Sequence, residues 1–295
     1  MKSPLEPSNR ATELLQLLQL ERIDTQVWRG QNEARFGARL FGGQVLAQAL
    51  VAATNTVAPD RHCHSLHGYF LRPGRADMPV IYQVESIRDG KSFTTRRIKA
   101  IQNGEAIFSM DTSFHIQEPG LAHQIDMQEI PEPESLVDDR DIATKPNDPN
   151  PQWTQRERPF EVRSIFQRGR PVEDHTSQPI WIRYQAHVPD VQSLHRYLLT
   201  YASDMSLVST AVLPHRREVQ QNQLQVASLD HALWFHHDVD VNDWLVYIKD
   251  TTQAGAGRGF NRGAFYTRAG KLVASALQEG VIRVRTPRDD SQTSV

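Results

Sequence analysis

The sequence predicts an α+β fold made of two tandem repeats, each an antiparallel sheet wrapped around a central helix. Along the 295 residues, an apolar helix-like segment is twice combined with strand-like segments that turn signals separate. Residues of the two halves also match at offsets of 160 to 167 positions, which favours a duplication. We therefore expect an N-terminal repeat at 1–116, a Pro-rich acidic linker at 117–159 and a C-terminal repeat at 160–295.

The first repeat is predicted to begin with a short amphipathic helix at 11–21 and a strand at 24–30. Its central helix is predicted at 41–57, where two glycines precede a segment rich in Ala, Val and Leu. Small side chains let other backbones approach closely, so this helix is expected to be buried. The Asn103-Gly104 dipeptide is typical of a tight hairpin turn. Four strands are predicted around it, at 64–71, 79–87, 92–102 and 105–116.

The second repeat is organised around 195–214, HRYLLTYASDMSLVSTAVLP, a charge-poor segment predicted to be one long buried helix. Its apolar residues recur every three or four positions, which is the period of a helix. The preceding stretch, 117–159, is acidic and holds seven prolines, so we expect an irregular linker laid over the surface. Six strands are predicted in this repeat, at 160–167, 179–188, 225–236, 243–252, 259–267 and 271–285.

Asp204 is the one carboxylate in the apolar segment 195–214. An ionised carboxylate that is buried without partners costs several kcal/mol, so Asp204 needs compensating hydrogen bonds or has a function. One interpretation is an aspartate that caps a helix and is satisfied there. Another follows from the match of 41–44 with 201–204. It would place Asp204 in the first turn of a helix, near backbone N–H groups that stabilise anions.

The composition argues against several classes of function. With 33 Lys and Arg against 35 Asp and Glu, the net charge of −2 favours neither nucleic acid nor an anionic membrane as a partner. No apolar run reaches the roughly 18 residues of a membrane span, and the C-terminal DDSQTSV carries neither a peroxisomal tripeptide nor a lipidation motif. Cys63 is the single cysteine, which excludes an intrachain disulfide. We expect a cytoplasmic protein without stable membrane insertion.

Six motifs occur in order along the chain. They are FGGQV at 41–45, HGYFLRPG at 67–74, YASD at 201–204, LDHALWFH at 229–236, RGFNRGAFYT at 258–267 and LVASALQEG at 272–280. Together they resemble the acyl-CoA thioesterase II family, over about residues 15–285. The resemblance implies the double hotdog fold and the hydrolysis of acyl-CoA thioesters, often fatty acyl, to free acid and coenzyme A. It implies no metal and no organic cofactor.

By this resemblance, Asp204, Ser228 and Gln278 would be catalytic residues that together hold a water molecule. Ser228 stands where many relatives have Thr, which keeps the hydroxyl group. The chemistry agrees, because a thiol of pKa about 8.5 leaves without a strong general acid. What remains is to activate water and to stabilise an oxyanion. A carboxylate can accept the proton of the water, while a hydroxyl and an amide fix its orientation.

The first half offers different residues at the three corresponding positions. They are Gln44, roughly His64, and Thr112. An amide does not take a proton from water at neutral pH. We therefore expect one working site per chain and one degenerate site in the first half.

Coenzyme A carries phosphates, and Arg258 and Arg262 in GAGRGFNRG, 255–263, are the candidates to contact them. Backbone N–H groups of the glycines would complete an anion nest. Alternatively, the glycines belong to a bulged strand that packs against the central helix. The spacing lacks a GxGxxG that opens a helix, which argues against a Rossmann site.

Two histidine-rich stretches, around Cys63 and at 236–238, raise the question of zinc. Neither is paired with a CxxC, so strand alternation and loop position explain them better than a metal site. His67 and His231 match each other between the halves at an offset of 164. Each is either a neutral histidine that orients a catalytic group or a satisfied histidine of the core or an interface.

Two rival functions are weighed against the thioesterase. A hotdog hydratase or dehydratase acting on enoyl-CoA would need an Asp followed closely by a His in one loop, whereas Met-Ser-Leu-Val-Ser follows Asp204. A non-catalytic acyl-CoA binding protein would keep the groove and lose the base, so Asp204 argues against it.

The exposed edges of such a sheet predict a homo-oligomer, a dimer or a tetramer. Acyl-CoA is the expected substrate.

Overall fold

The computed structural model describes residues 8–32, 39–142, 157–165, 176–219 and 223–285. In the first repeat the helices and strands lie within a few residues of their predicted positions, and the predicted strand at 24–30 is half of a hairpin. The elements are α1 (Asn9–Leu17), β1 (Glu21–Asp24), β2 (Val27–Gly30), α2 (Gly42–Thr54), β3 (His62–Phe70), β4 (Val80–Asp89), β5 (Phe93–Gln102) and β6 (Glu105–His115).

From residue 117 onwards, the described residues contain two 3-10 helices besides the strands, η1 in the linker and η2 in the second repeat. Residues 166 and 167 of the strand predicted at 160–167 lie outside the described residues. The elements are η1 (Pro133–Ser135), β7 (Phe160–Ser164), β8 (Ser177–Tyr184), α3 (Gln192–Ser203), η2 (Val208–His215), β9 (Leu224–Ser228), β10 (Asp230–Phe235), β11 (Leu245–Gly255), β12 (Arg258–Thr267) and β13 (Leu272–Val284).

The described strands form one antiparallel sheet. Its order is β1-β2-β4-β5-β6-β3-β10-β13-β12-β11-β8-β7, and β9 pairs with β13 as well. Read from the outside to the centre, β2-β4-β5-β6-β3 has the same order as β8-β11-β12-β13-β10. The two halves join where β3 pairs with β10, with Leu66 opposite Leu233. This arrangement confirms the predicted double hotdog.

The central segments of the two repeats differ. In the first repeat α2 is the wrapped helix, buried from Gly43 to Ala53 and packed against β4, β5 and β6. In the second repeat the strands β8, β9, β11, β12 and β13 pack around η2, while α3 packs against α2. The prediction of one long helix at 195–214 is therefore wrong, because the helix ends at Ser203. Ser206 has a φ of 56° and its hydroxyl bonds to the backbone, and such local bonds compete with a helix.

Residues 117–142 of the Pro-rich segment cover the outer face of the second repeat. Met127, Ile130 and Leu136 pack on an apolar cluster that includes Trp181 and Trp244. The Trp181 indole N–H donates to the carbonyl of Pro131 at 2.8 Å. Apart from η1, residues 117–142 are irregular, and most of them are exposed. Residues 143–156 of the predicted linker lie outside the described residues.

Candidate active site

Asp204 lies where α3 ends. It occupies the C-cap position of α3, and the chain turns at Ser206 before η2 begins. Asp204 is 7% exposed. The carboxylate is therefore at the C-terminal end of a helix, and the prediction that it lies in the first turn of its own helix is wrong.

The backbone N–H group expected beside Asp204 comes instead from the other repeat. Gly43, the second residue of α2, donates its backbone N–H to the Asp204 carboxylate. A Cβ atom on Gly42 would lie 2.7 Å from Asp204 Oδ2, and one on Gly43 would collide with the carbonyl oxygen of Tyr201. Glycine at both positions thus lets the N-terminus of α2, with its partial positive charge, approach the acid.

Gln278 is the side-chain partner of Asp204. It is fully buried on β13, and its Nε2 donates to Asp204 Oδ1 at 2.7 Å. Burial raises the pKa of Asp204 from 3.8 to about 6, while the hydrogen bonds from Gln278 and Gly43 act in the opposite direction. At pH 7 the carboxylate is thus mostly ionised, and its pKa is close enough to neutrality for it to accept and return a proton.

Two buried amide oxygens lie on one face of the sheet next to this acid. Gln278 and Asn261 are opposite each other on β13 and β12, so their side chains share a face. Gln278 Oε1 and Asn261 Oδ1 accept no hydrogen bond from any residue that the structure describes. Buried amide oxygens normally have a partner in the protein or in water, so both are acceptors for a polar molecule. Asn261 was not among the predicted site residues.

His231 on β10 belongs to the same cluster. Its Nδ1 lies 3.2 Å from Gln278 Nε2, and its Nε2 lies 2.8 Å from Ser203 Oγ. Burial lowers the pKa of His231 to about 3, so the ring is neutral at pH 7. His67 is exposed instead, with its ring against Trp234. The two histidines that match in the sequence therefore have different surroundings.

Ser228 lies at the end of β9, opposite Gly280 on β13. Gly280 and Gln278 are two residues apart on one strand, so Ser228 faces the same side as Gln278. A Cβ atom on Gly280 would collide with Val208 of η2, which shows that this face looks towards the segment after Asp204. Within the described residues, however, the Ser228 hydroxyl makes no hydrogen bond to Asp204 or Gln278. The structure thus brings Asp204 and Gln278 into contact and places Ser228 nearby on their face.

The sheet register identifies the corresponding residues of the first half. Cys63 lies opposite Phe114 just before a bulge in β3, as Ser228 lies opposite Gly280 just before the break between β9 and β10. Ser228 therefore corresponds to Cys63 and not to His64, because the strand register sets an offset of 165 here, whereas the sequence match of His67 with His231 sets 164. Cys63 Sγ lies 3.2 Å from the hydroxyl of Thr112, and burial raises the pKa of this thiol to about 11.

Arg258 and Arg262 lie on a hairpin beside the site. Ala256 and Gly257 have φ values of 49° and 74°, so they form the two-residue turn between β11 and β12. Arg258 Nε bonds to Glu279 at 2.9 Å, and Arg262 binds both oxygens of Asp250, at 2.8 and 2.9 Å. Their contact with coenzyme A phosphates stays a prediction, with these carboxylates as competitors for the same guanidinium groups.

The histidine-rich stretches have partners other than a metal. His64 Nε2 lies 2.8 Å from the hydroxyl of Ser113, and His236 Nε2 lies 2.8 Å from that of Ser275. Among the described residues, no group of three or more His, Cys, Asp or Glu side chains is arranged to hold a metal ion. Over the same residues, no helix is both long and apolar enough to cross a membrane.

Comparison with known proteins identifies the family of this chain. The family model described as acyl-CoA thioesterase matches residues 150–281, and the model of the acyl-CoA thioesterase N-terminal domain matches 32–115. The chain is 35% identical to acyl-CoA thioesterase 2 of Haemophilus influenzae over 92% of its own length and 96% of that protein. It belongs to the acyl-CoA thioesterase family.

Other relatives of this thioesterase cover similar shares of the chain. Human acyl-coenzyme A thioesterase 8 is 35% identical over 94% of this chain and 90% of that protein. An acyl-CoA thioesterase II from Mycobacterium marinum superposes with a TM-score of 0.79 at 37% identity, over 92% of this chain and 99% of that one. A hotdog-fold protein from Alicyclobacillus acidocaldarius superposes at 0.74 with 20% identity, over 93% and 99% of the two chains, which shows the fold alone. The protein is thus a thioester hydrolase with a double hotdog fold.

Proposed function

We propose that this thioesterase hydrolyses fatty acyl-CoA with a water molecule that Asp204, Gln278 and Ser228 hold. Asp204 accepts a proton of the water as its oxygen attacks the thioester carbonyl carbon. The tetrahedral intermediate then collapses, the C–S bond breaks and coenzyme A leaves as a thiolate, which takes up the proton. The products are the free acid and coenzyme A.

One observation carries this proposal: a buried carboxylate of pKa about 6 that the Gln278 amide contacts at 2.7 Å. Such a group is ionised at pH 7 and still basic enough to take a proton. The unpaired Oε1 of Gln278 supports it further, because a water could donate one hydrogen there and the other to Asp204. The Ser228 hydroxyl, on the same face, is proposed as the third contact of this water.

The apolar surroundings of Asp204 support a fatty acyl group as the part of the substrate that lies next to it. The Phe70 ring lies against Gly42 beside the carboxylate, and the rings of Phe41 and Tyr201 pack edge to face at 4.9 Å. Transfer of an apolar acyl chain from water to such an apolar wall is favourable.

We further propose two repeats at 1–116 and 160–295, a homo-oligomeric dimer or tetramer, and a cytoplasmic location.

The test is release of free thiol from acyl-CoA of increasing chain length, followed with a thiol-reactive dye. Asp204→Asn is expected to slow turnover by roughly 10²- to 10⁴-fold, as for loss of a general base. Asp60→Asn removes the same charge from an exposed side chain and serves as the matched control. Equal rates in wild type and Asp204→Asn would overturn the role of Asp204. Faster hydrolysis of short than of long acyl chains would overturn the fatty acyl preference.

A further inference from the structure

We propose that His231 and Ser203 are positioning residues that fix which end of the Gln278 amide faces Asp204. The proposal rests on the proposed role of Asp204 as the base. Its basis is a chain of four hydrogen-bond contacts through side chains that are all buried. Ser203 Oγ lies 2.8 Å from the Thr200 carbonyl oxygen and 2.8 Å from His231 Nε2. His231 Nδ1 lies 3.2 Å from Gln278 Nε2, and Gln278 Nε2 lies 2.7 Å from Asp204 Oδ1.

The direction of this chain is fixed at its first contact. A backbone carbonyl accepts hydrogen bonds and never donates, so the Ser203 hydroxyl must use its single hydrogen on Thr200. Towards His231, the Ser203 oxygen is then left as an acceptor. His231 must therefore carry its hydrogen on Nε2.

A neutral imidazole with its hydrogen on Nε2 has an acceptor at Nδ1. The atom of Gln278 that lies 3.2 Å from Nδ1 must for this reason be the NH₂ group, whose second hydrogen goes to Asp204. The orientation of the amide thus follows from the chain of contacts, without a choice between its oxygen and its nitrogen. The lowered pKa of His231 agrees with a neutral ring.

The fixed amide matters for the chemistry beside it. Turned by 180°, the amide would place its oxygen against the Asp204 carboxylate and its NH₂ group where Oε1 now lies. Asp204 would lose the hydrogen bond that lowers its pKa, and the site would lose the acceptor at Oε1. The chain through His231 therefore keeps one donor on the base and one acceptor free for water.

The same polarity excludes a serine nucleophile in this cluster. Ser203, His231 and Asp204 resemble a catalytic triad in composition, and His231 Nδ1 lies 3.8 Å from Asp204 Oδ1. A base towards Ser203 would need a lone pair on Nε2, but that nitrogen carries the hydrogen. Ser203 therefore positions His231 and does not attack the substrate.

At the corresponding positions of the first half, the described residues form no such chain of contacts. By the sheet register, Leu66 lies opposite Thr112, the positions that correspond to His231 and Gln278. A leucine offers no hydrogen bond, and Thr112 donates instead to the carbonyl of Ser65 at 3.0 Å. The positioning chain thus occurs in the half that carries the acid.

His231→Phe tests the proposal, since it removes the acceptor and keeps a flat ring. We expect kcat to fall about tenfold or more with KM within twofold. The acid limb of the pH profile should move to higher pH, because the Gln278 amide is no longer held with its NH₂ group towards Asp204. Of the titratable groups nearby, Asp204 has its Oδ1 3.8 Å from His231 Nδ1, and Tyr247 donates its hydroxyl hydrogen to the Ser203 carbonyl. His67→Phe, on the exposed face of β3, is the matched control.

Two further variants separate positioning from a merely structural role. Ser203→Ala should move the pH limb in the same direction with a smaller loss of kcat, and His231→Gln, which keeps an acceptor, should recover part of the rate. In a Gln278→Ala background, His231→Phe should cost little more. The same loss in both backgrounds, or a limb that does not move, would overturn the proposal.

A direct measurement distinguishes this proposal from the proposed function. Nitrogen-15 NMR of the wild-type enzyme at pH 7 should show His231 with a protonated Nε2 and a bare Nδ1. A hydrogen on Nδ1, or on both nitrogens, would overturn the positioning chain whatever Asp204 does. Full turnover by Asp204→Asn would overturn the function and leave the tautomer as it is.

Discussion

The backbone N–H of Gly43, in the first turn of α2, hydrogen-bonds to the carboxylate of Asp204 in the other repeat. The acid of the second repeat is therefore held by the central helix of the first. A helix N-terminus stabilises an adjacent anion, which offsets part of the cost of burying Asp204. Neither repeat could form this arrangement alone, so we expect both to be needed for one site.

Gly42→Ala is expected to lower turnover at least about tenfold, because displacing a reacting group by about 1 Å can lower the rate up to about 10²-fold. The new Cβ would lie 2.7 Å from Asp204 Oδ2 and 2.8 Å from the Phe70 ring, so the carboxylate must move. Initial rates at saturating substrate measure the effect, and thermal unfolding checks that the fold persists. Gly120→Ala, where a Cβ meets no atom within 4 Å, is the control. Unchanged kcat in Gly42→Ala would show that the acid tolerates the shift.

The pH profile of kcat/KM should rise with a midpoint near pH 6 and level off above it. The reason is that Asp204, of pKa about 6, must be ionised to accept a proton. Gln278→Ala removes a donor that lowers this pKa, so its midpoint should move to higher pH. Rates are measured from pH 5 to 8 with the uncatalysed hydrolysis subtracted. A flat profile over this range would contradict the assignment of Asp204 as the base.

Asp204→Asn should make the folded protein more stable at neutral pH. The pKa of Asp204 is raised from 3.8 to about 6, so its stability contribution is present below pH 4 and is lost as the pH rises through 6. The ionised carboxylate then costs about 3 kcal/mol, which the neutral amide avoids. Urea unfolding should give a gain of up to this size at pH 7.5 and almost none at pH 4. A variant less stable than wild type at pH 7.5 would mean that its partners favour the charged form.

Regular hydrophobic patterns were enough to predict most strands and the duplicated plan. They failed where one residue changes the backbone, as at Ser206, whose left-handed φ ends the helical path that the apolar period suggested. The match of Ser228 with His64 failed for a different reason, because it follows the offset of 164 between His67 and His231, whereas the strand register sets an offset of 165. Asp204 and Gln278 were predicted to meet and do so. Ser203 and Asn261 were missed, since their roles depend on cross-strand neighbours that no spacing along the chain reveals.

The first half is expected to contribute no second turnover. Thr112→Val removes the hydroxyl that corresponds in position to the Gln278 amide and keeps the shape of the side chain. It should leave kcat/KM within about twofold and cost about 1 to 3 kcal/mol of stability, because the Ser65 carbonyl loses its donor. Gln44→Ala should behave alike, since Gln44 Nε2 bonds to Asn32 and the Gln31 carbonyl. Loss of turnover in a variant that still folds and binds substrate would contradict one site per chain.

Lys249→Met should stabilise the protein at pH 7. Lys249 is fully buried, and its Nζ bonds to the Ser206 hydroxyl at 2.9 Å, two residues after Asp204. Burial lowers the pKa of Lys249 from 10.5 to about 7, with nearby Asp139 acting in the opposite direction. From pH 7 to 10.5 the unfolded chain binds more protons, so wild-type stability rises with pH across this window.

The gain from methionine should therefore be a few kcal/mol at pH 7 and should shrink towards pH 10, as measured by urea unfolding at both values. Lys249→Arg provides the opposing variant, because a guanidinium stays charged at every pH tested and cannot escape the cost of burial. We expect it to be less stable than wild type at both values. An arginine variant as stable as wild type, or a methionine gain that is constant with pH, would mean that a partner compensates the charge of Lys249.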